Sequence, residues 1–594
     1  MSKSKTPAPA SAKRERRSSR RDEPATPPGH AMRETIESIA LAVILAFLFR
    51  AFVAEAFVIP TGSMAPTLMG QHKDVQCPEC GYWYQAGASV EDEANAQLRG
   101  ESPRIVVATT CPLCRYRLIL DLRNNANQKT FSGDRILVSK FVYDFAPPQR
   151  WDVIVFKYPF DAKQNYIKRL VGLPNEQILI QRGDVFIKQP GENAFMIARK
   201  PDRKLKTMLQ VVDDTRHIAQ RLTDIGWPLR WQSWAAGGQD VSSAWSTSDH
   251  GHTYDTDGLA GQDVWLRYHH IMASDEDWKL IEDGQQPPMV ADRPSELITD
   301  VYAYNAITSI SPTFVAKSSP TRRPEDYADA RFAGDMLGLY WVSDLAIEGD
   351  VEVEGDQGEL LLLLVKGGIP YTCRVDVATG KATLSIDGGK GEFVGSDAVG
   401  VKTPVGQTKI NGRGTYRIRF SNVDAEVRLW VNEQRVVFEG ATTYAPRDKM
   451  RPVATALDPG DLAPVGIGTR DAALHIQRLR VLRDVYYVAT EAGNTPEYTV
   501  PYSFRRIQEI LHDPESWPET DLFDLQAKFE VTMKADELFP LGDNSPQSSD
   551  ARMWDEHFVK RDLLIGKALL IYWPHPWYRP IPYLPNFKRM RLIY

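Results

Sequence analysis

Outside Ile36–Val58 the 594-residue chain holds no second run of about 20 apolar residues, which leaves one membrane span at most. Leu360–Val365 is apolar, but its length suits a buried strand. A dominant charge sign is also missing. The 71 Lys and Arg against 77 Asp and Glu give a formal net charge of −6, so nothing global points to nucleic acid as a partner. Histidine is scarce, with eleven residues, and cysteine scarcer, with five. No clean internal repeat is present. The length is too great for one core, so several domains are expected.

Charge is uneven at the start of the chain. Lys3, Lys5, Lys13, Arg14, Arg16, Arg17, Arg20 and Arg21 crowd the first residues among Pro, Ser and Ala. This composition predicts a disordered basic tail over residues 1–33. The apolar segment at 34–58 then predicts a transmembrane anchor. As a helix, Ile36–Val58 spans roughly 34 Å at about 1.5 Å per residue. Arg50 lies near one end, where its stem can snorkel. The basic flank places the N-terminus in the cytoplasm and the rest outside, as a single-pass protein of the cytoplasmic membrane. A cleaved secretory signal is the alternative, since Ala54-Glu55-Ala56 offers an A-x-A site. The basic region is far longer than a usual signal n-region, which favours the anchor.

Directly after this segment comes Ile59-Pro60-Thr61-Gly62-Ser63-Met64-Ala65-Pro66-Thr67-Leu68. A serine hydroxyl needs a base to become a nucleophile. The β-rich blocks on either side of the chain's middle contain His72, His512, His557 and His575, none in a recognisable setting. Lysine is the other known base, provided burial lowers its pKa from about 10.4 toward neutrality. Lys168 is a candidate, flanked by Tyr166, Ile167, Leu170 and Val171 in a predicted strand. A third segment, Leu541-Gly542-Asp543-Asn544 through Ser548, Asp550 and Arg552, reads alone as a polar turn. Taken singly, each of these is ordinary, and most lysines are solvated surface charges.

Together they resemble the bacterial type I signal peptidases, the membrane-anchored Ser–Lys endopeptidases that remove secretory signal peptides. Ile59–Met64 with Pro66-Thr67-Leu68 is similar to the nucleophile box, and Gly133–Val138 to the next. Arg150–Phe156 with Pro159 resembles the third, with Trp151 where the family usually has Gly. Tyr166–Pro174 resembles the lysine box, and Gly542–Arg552 the last. The resemblance covers under half the chain. It implies Ser63 as nucleophile and Lys168 as general base, with the Ser63 N–H and the Thr61 hydroxyl as oxyanion hole. It implies Ser548 hydrogen-bonding the lysine, Asp550 paired with Arg552, and Asp543 with Arg169. It implies two apolar pockets for small side chains, lined by Ile59 and Phe57, preproteins with A-x-A signal peptides as substrates, membrane lipid as surroundings, and no cofactor for catalysis.

Cys77-Pro78-Glu79-Cys80 and Cys111-Pro112-Leu113-Cys114 have zinc-ribbon spacing. Structural zinc, disulfides and free thiols all stay open, since an extracytoplasmic compartment favours disulfides. Cys373 is unpaired and reads as a buried hydrophobe. Phe131–Phe141 and Asp152–Lys157 read as strands. Successive short strands in the second half of 189–495, from Leu360–Lys366 through Gln434–Glu439 to Leu474–Leu482, suggest a β-sandwich of jelly-roll or laminin-G-like texture, with a glycan or protein as possible ligand. The fold class is therefore mainly β: a signal-peptidase-like catalytic core behind one N-terminal transmembrane helix, with two insertions. The predicted boundaries are core at 59–76, zinc-ribbon-like insertion at 77–122, core at 123–188, sandwich at 189–495 and core with tail at 496–594. Two other readings compete. One is a membrane-anchored extracytoplasmic binding protein on a decayed peptidase scaffold. The other is a soluble Ser–Lys protease of the self-cleaving repressor type, which the apolar segment disfavours.

Overall fold

The strand texture of the sequence carries into the computed structural model, which is mainly β. It describes residues 30–48, 54–98, 102–236, 241, 243–259, 261–288, 290–312, 337–395, 399–490, 497–498, 502–574, 576–577 and 584–594. Most of the predicted basic tail therefore lies outside the described residues. Two compact units divide the chain, Met1–Ala54 and Glu55–Tyr594.

In the first unit, His30–Leu48 is a 19-residue helix. Ile36, Ile39, Leu41, Val43, Ile44 and Leu45 are exposed on it. Among the described residues no helix is long and apolar enough to cross a membrane. The helix predicted to run from Ile36 to Val58 is corrected at its end. Residues 49–53 lie outside the described residues, and Ala54–Val58 is a strand. Pro60 stands two residues beyond, where a helix cannot continue, and a sheet edge supplies backbone partners instead.

Strands from the segments expected to form the core, on both sides of the long insertion, meet in one sheet. Its order is Ala54–Val58, Arg135–Ser139, Leu564–Trp573, Val153–Tyr158, Asp161–Gly172, Glu537–Leu541, Val559–Lys560, with Arg591–Leu592 beside Leu564–Trp573. A four-stranded sheet joins Met196–Ile197, Asp184–Lys188, Gln177–Gln181 and Phe529–Thr532. Ile154, Phe156, Leu170, Ile178, Ile180, Phe529, Phe539 and Leu541 form one core between them. The hairpin turn at Arg182-Gly183 has φ of 53° and 83°, the pair of positive angles that matches the twist of flanking strands. The strand predicted over Phe131–Phe141 is shorter. It runs Arg135–Ser139, and Phe141 leads into a helical turn at Val142–Phe145.

Two eight-stranded antiparallel sheets fill most of the long insertion. One contains Thr253–Thr256, Leu474–Arg483, Leu345–Val353, Gly414–Val423 and Glu426–Val431; the other contains Val264–Tyr268, Val465–Arg470, Glu359–Lys366, Ile369–Asp376 and Lys381–Ile386. Ile347, Ile418 and Leu479 of the first share a core with Leu362, Val375, Leu384 and Ile467 of the second. The strand predicted over Gln434–Glu439 is divided: Gln434–Arg435 stays in the first sheet and Phe438–Glu439 crosses to the second. A further core joins Leu297, Tyr340 and Trp341 to Ile507, Ile510 and Trp517 of the helix Phe504–His512 and its neighbourhood, and so crosses residue 495.

Near Ser63 the backbone is tightly stacked. Ile59 N–H donates to Asp134 O at 3.0 Å, and Asp134 N–H to Met69 O at 2.8 Å. A Cβ on Gly133 would lie 1.8 Å from Ile59 O. Gly133→Ala is therefore expected to lower stability by about 1–3 kcal/mol. Thermal unfolding, with hydrogen exchange over Ile59–Met69, checks this; a melting curve equal to wild type would contradict the packing.

Candidate active site

Ser63 sits in the 3-10 turn Gly62–Met64, entered from extended Thr61 (φ −117°, ψ 158°). Met64 and Leu68 anchor the segment by packing with Ile136, Val153 and Val155. Thr61 and Ser63 open onto a cleft of about 1000 Å³ that Tyr166, Lys168, Tyr304, Asn305 and Asn544 also line. Thr61 is half-buried there, and its hydroxyl caps no backbone group of the turn. Ile59, expected to line a specificity pocket, is 2% exposed and belongs to the core beneath the turn.

Lys168 lies in the strand Asp161–Gly172, opposite Ile154. Alternation along a strand puts Lys168 on the face of Tyr166 and Leu170, and Arg169 on the other. Lys168 is buried, and its Nζ is 2.7 Å from Ser63 Oγ. Burial pushes its ammonium down to about 8; the charge of Asp550 works upward, Arg552 downward and Asp543 upward. Its Nζ stands 5.3 Å from the Tyr166 ring centroid. Among the described residues no histidine hydrogen-bonds Ser63.

On the opposite face Arg169 grips Asp543 with both ends of its fork, Nε to Oδ1 at 2.7 Å and Nη2 to Oδ2 at 2.6 Å. Burial alone would push the guanidinium down, but Asp543 more than reverses this and holds it above its ordinary value. Arg169 Nη1 donates to Trp151 O at 2.8 Å, and Nη2 to Thr67 Oγ1 at 3.3 Å. Arg552 makes a second two-pronged pair with Asp550, at 2.9 and 2.8 Å. Asp550 also accepts from Gly542 N–H at 2.9 Å.

The hydrogen bond expected between Ser548 and Lys168 is not made. Ser548 Oγ is buried without a partner among the described residues. It crowds Gly542, where an added Cβ would lie 2.1 Å from it and 2.5 Å from Ser63 O. The lysine is turned to Ser63 instead.

Several side chains at the site escaped sequence reasoning. Asn544 donates through Nδ2 to Gly62 O at 3.1 Å and through its backbone to Ser63 O at 3.0 Å. Asn305 pairs with the Asn544 amide at 2.7 and 2.9 Å. Tyr302 OH reaches Ala65 O at 3.0 Å and Asp543 O at 3.2 Å. Asn544 stands within the Gly542–Arg552 motif, which assigns it no role. The others belong to the long insertion, and no local pattern marks them.

The sulfurs of Cys77, Cys80, Cys111 and Cys114 all lie within 4.8 Å of one another, and the four residues are buried thiols. Two sulfur pairs stand at 3.5 and 3.6 Å, too far apart for a disulfide and near the edge length of a tetrahedral thiolate site. The two knuckles share one backbone plan. Gly81 N–H donates to Cys77 O at 3.0 Å and Arg115 N–H to Cys111 O at 3.0 Å, with φ of 69° at Gly81 and 61° at Arg115. Hydrogen bonds from Cys111 and Cys114 hold the Cys77 thiol well below its ordinary value, while burial pushes Cys111 up. This donor set can bind a metal. Asp184, Asp344 and Asp424 also converge, but two of the three already have a cation partner, Lys200 with Asp424 at 2.7 Å and Lys366 with Asp344. Among the insertion's histidines, His269 bonds Ser295 and His270 bonds Tyr268, and neither joins a metal-ligating group.

Comparison with known proteins agrees with the motifs. The family described as signal peptidase, peptidase S26, matches residues 32–77, 105–222 and 478–573. The signal peptidase I of Leptolyngbya laminosa is 31% identical over 178 residues, covering 28% of this chain and 56% of that protein. The "Probable signal peptidase I-1" of a Synechocystis strain is 25% identical over 202 residues, covering 31% and 71%. The chain thus spans little more than half the length of the first of these relatives. Among solved structures, galectin LEC-6 of Caenorhabditis elegans covers 24% of this chain and 83% of its own, at 8% identity and a TM-score of 0.16, too slight a likeness to build on. By motifs, family match and relatives, the chain is related to the type I signal peptidases of peptidase family S26 and carries large insertions.

Proposed function

We propose that the chain is a membrane-attached serine endopeptidase that removes signal peptides from exported preproteins. The observation that carries this reading is the buried 2.7 Å contact between Lys168 Nζ and Ser63 Oγ. Neutral Lys168 takes the Ser63 proton as Oγ attacks the scissile carbonyl. The Ser63 N–H and the Thr61 hydroxyl meet the developing oxyanion. The Lys168 ammonium then returns a proton to the leaving amine. Water, activated by the same lysine, hydrolyses the acyl-enzyme. With a pKa of about 8, roughly a tenth of Lys168 is neutral at pH 7. A bound substrate excludes water and raises that share. The unpaired Ser548 hydroxyl is available to orient the lysine in that closed state.

The same strand supports a binding mode. Asp161–Gly172 pairs with Glu537–Leu541 only at Arg169, Leu170 and Gly172, while Gln164–Lys168 line the cleft. An extended peptide can add to that edge and present its carbonyl to Ser63. We further propose that the exposed apolar helix His30–Leu48 belongs to a single cytoplasmic-membrane anchor with the basic N-terminus inside, that the insertion's paired sheets form a jelly-roll-like sandwich, and that the four cysteines bind one structural zinc.

Detergent-solubilised full-length protein is expected to cleave a preprotein bearing A-x-A, and Ser63→Ala and Lys168→Ala to abolish cleavage. Equal cleavage by wild type and Ser63→Ala would remove the assignment. The sign of the pH effect is fixed by the base form. kcat/KM is expected to rise as pH increases through about 8, where Lys168 loses its proton. A rate flat across that range would contradict a lysine base. Elemental analysis is expected to find about one zinc per chain, lost in Cys77→Ser. Four alkylation-resistant cysteines that react only after reduction would indicate disulfides instead.

A further inference from the structure

The two cysteine knuckles stand on separate small sheets. His72–Gln76 pairs with Trp83–Gly87 around the first knuckle, and Ile105–Thr110 pairs with Arg117–Ile119 around the second. No strand pairing joins these hairpins; their shared sulfurs and a common apolar core do. A strand from the long insertion, Ile307–Ile310, completes the second sheet by pairing with Ile105–Thr110. The residue before it, Ala306, accepts through its carbonyl from Thr110 N–H at 2.9 Å and from Thr109 Oγ1 at 3.0 Å. Thr110 is the neighbour of Cys111. The turn Tyr302–Asn305 is thus tied at its end to the second knuckle, and Ala303 and Ile307 pack on the cysteine core.

The same turn presses on the nucleophile segment. The Tyr304 ring fills the space where a Cβ would stand on Gly62, at 2.0 Å, and on Gly87, at 2.5 Å. Gly62 precedes the nucleophile, and Gly87 ends the first hairpin. Tyr304 OH donates to Gln71 O at 2.7 Å. Tyr302 OH bridges toward Ala65 O and Asp543 O. Asn305 holds Asn544, which in turn holds the carbonyls of Gly62 and Ser63. The carbonyls of Gly62, Ser63, Ala65 and Gln71 therefore lean, directly or through Asn544, on Tyr302, Tyr304 and Asn305.

We infer that the turn Tyr302–Asn305 is a positioning element of the serine site, and that the four-thiolate centre sets its place. This deepens the peptidase and zinc readings and rests on them. The chain of contact runs from Cys111 through Thr110 and Ala306 to the turn, and from the turn to Gly62, Ser63 and Ala65. Releasing the clamp between the two hairpins frees the turn's support on both sides, since Gly87 belongs to one hairpin and Thr110 to the other. Neither the thiolates nor the turn touches the reacting atoms. The effect falls on the alignment of the Ser63 N–H and Oγ, and so on kcat rather than KM.

The test uses detergent-solubilised full-length protein with a peptide substrate bearing A-x-A. Asn305→Ala is expected to keep its zinc, to leave KM within about twofold and to lose about tenfold or more in kcat, since small misplacement of reacting groups is costly. Wild type stripped by a chelator is expected to show the same split and to recover when Zn²⁺ is returned. Stripped wild type, or Asn305→Ala, with kcat within about twofold of the loaded protein overturns the inference. Hydrogen exchange at Gly62–Leu68 reads the coupling without any cleavage and is expected to quicken on zinc loss. Unchanged exchange overturns the inference even in an active enzyme. Wild type that cleaves nothing overturns the peptidase reading, and the exchange result then decides this one alone.

Discussion

Arg169 and Asp543 meet with neither side chain exposed to water, and the serine site hangs from that pair. Removing two charges from water costs several kcal/mol per ion, which a pair recovers only with excellent geometry and no unused donor. Here Nε and Nη2 of the guanidinium fork engage the carboxylate, Nη1 reaches Trp151 O and Tyr594 O, and Nη2 also reaches Thr67 Oγ1. These partners come from five places in the sequence. Thr67 follows the nucleophile, Trp151 opens one strand, Arg169 lies on the next, Asp543 comes after the long insertion and Tyr594 ends the chain. A planar, two-pronged contact has few acceptable geometries, so it fixes their relative register as well as their proximity. Asn544, next to Asp543, then holds the carbonyls of Gly62 and Ser63.

One peptide bond separates a cation held above its ordinary pKa, Arg169, from one pushed below it, Lys168. Lys168 and Arg169 are equally buried, and burial pushes both down. What separates them is the face of the strand. Arg169 points to a carboxylate in direct contact. Lys168 points to a neutral hydroxyl, with Asp550 acting at a distance and already occupied by Arg552. The Asp550–Arg552 pair thus presents Lys168 with two opposing charges and little net field, and desolvation decides its state. Alternation in a β-strand does the sorting, and a shift of one residue would exchange the two environments.

How much of this could be read in advance follows from the range of each signal. Ser63, Lys168 and the Gly542–Arg552 loop stand in short motifs whose residues are contiguous, so the sequence displays them. The end of the apolar segment reads as helix because Ala54–Val58, apolar except for Glu55, suits either a helix or an edge strand, and only the sheet partner distinguishes them. Gln434–Glu439 looks like one strand because its pattern does not show that two sheets divide it. Ser548 sits in the expected loop, yet its hydroxyl faces Gly542, a matter of side-chain direction that no motif encodes. Tyr302, Tyr304 and Asn305 carry no motif at all. Their part arises from a contact between segments more than 230 residues apart.

Trp151 shows how closely the long insertion is tied to the sheet that carries Lys168. The family to which this chain is related usually has Gly there, and the backbone explains the preference, since φ at Trp151 is 70°. A side chain in that region costs about 1–2 kcal/mol. The tryptophan is buried, and full burial of a large side chain contributes about 1.5–3 kcal/mol or more, which offsets the strain. Its neighbours say what that burial serves. Trp151 Nε1 donates to Arg199 O at 3.1 Å, Lys200 Nζ lies 5.0 Å from its ring, and Tyr487 stacks on it with centroids 6.3 Å apart. Residues 199, 200 and 487 stand where the chain leaves for the insertion and where it returns. The ring therefore seals the junction at both ends, while its carbonyl, fixed by the same unusual φ, accepts from Arg169. A glycine would keep the carbonyl and lose the seal. The tryptophan thus joins the two ends of the insertion at a place one hydrogen bond from the Arg169–Asp543 pair.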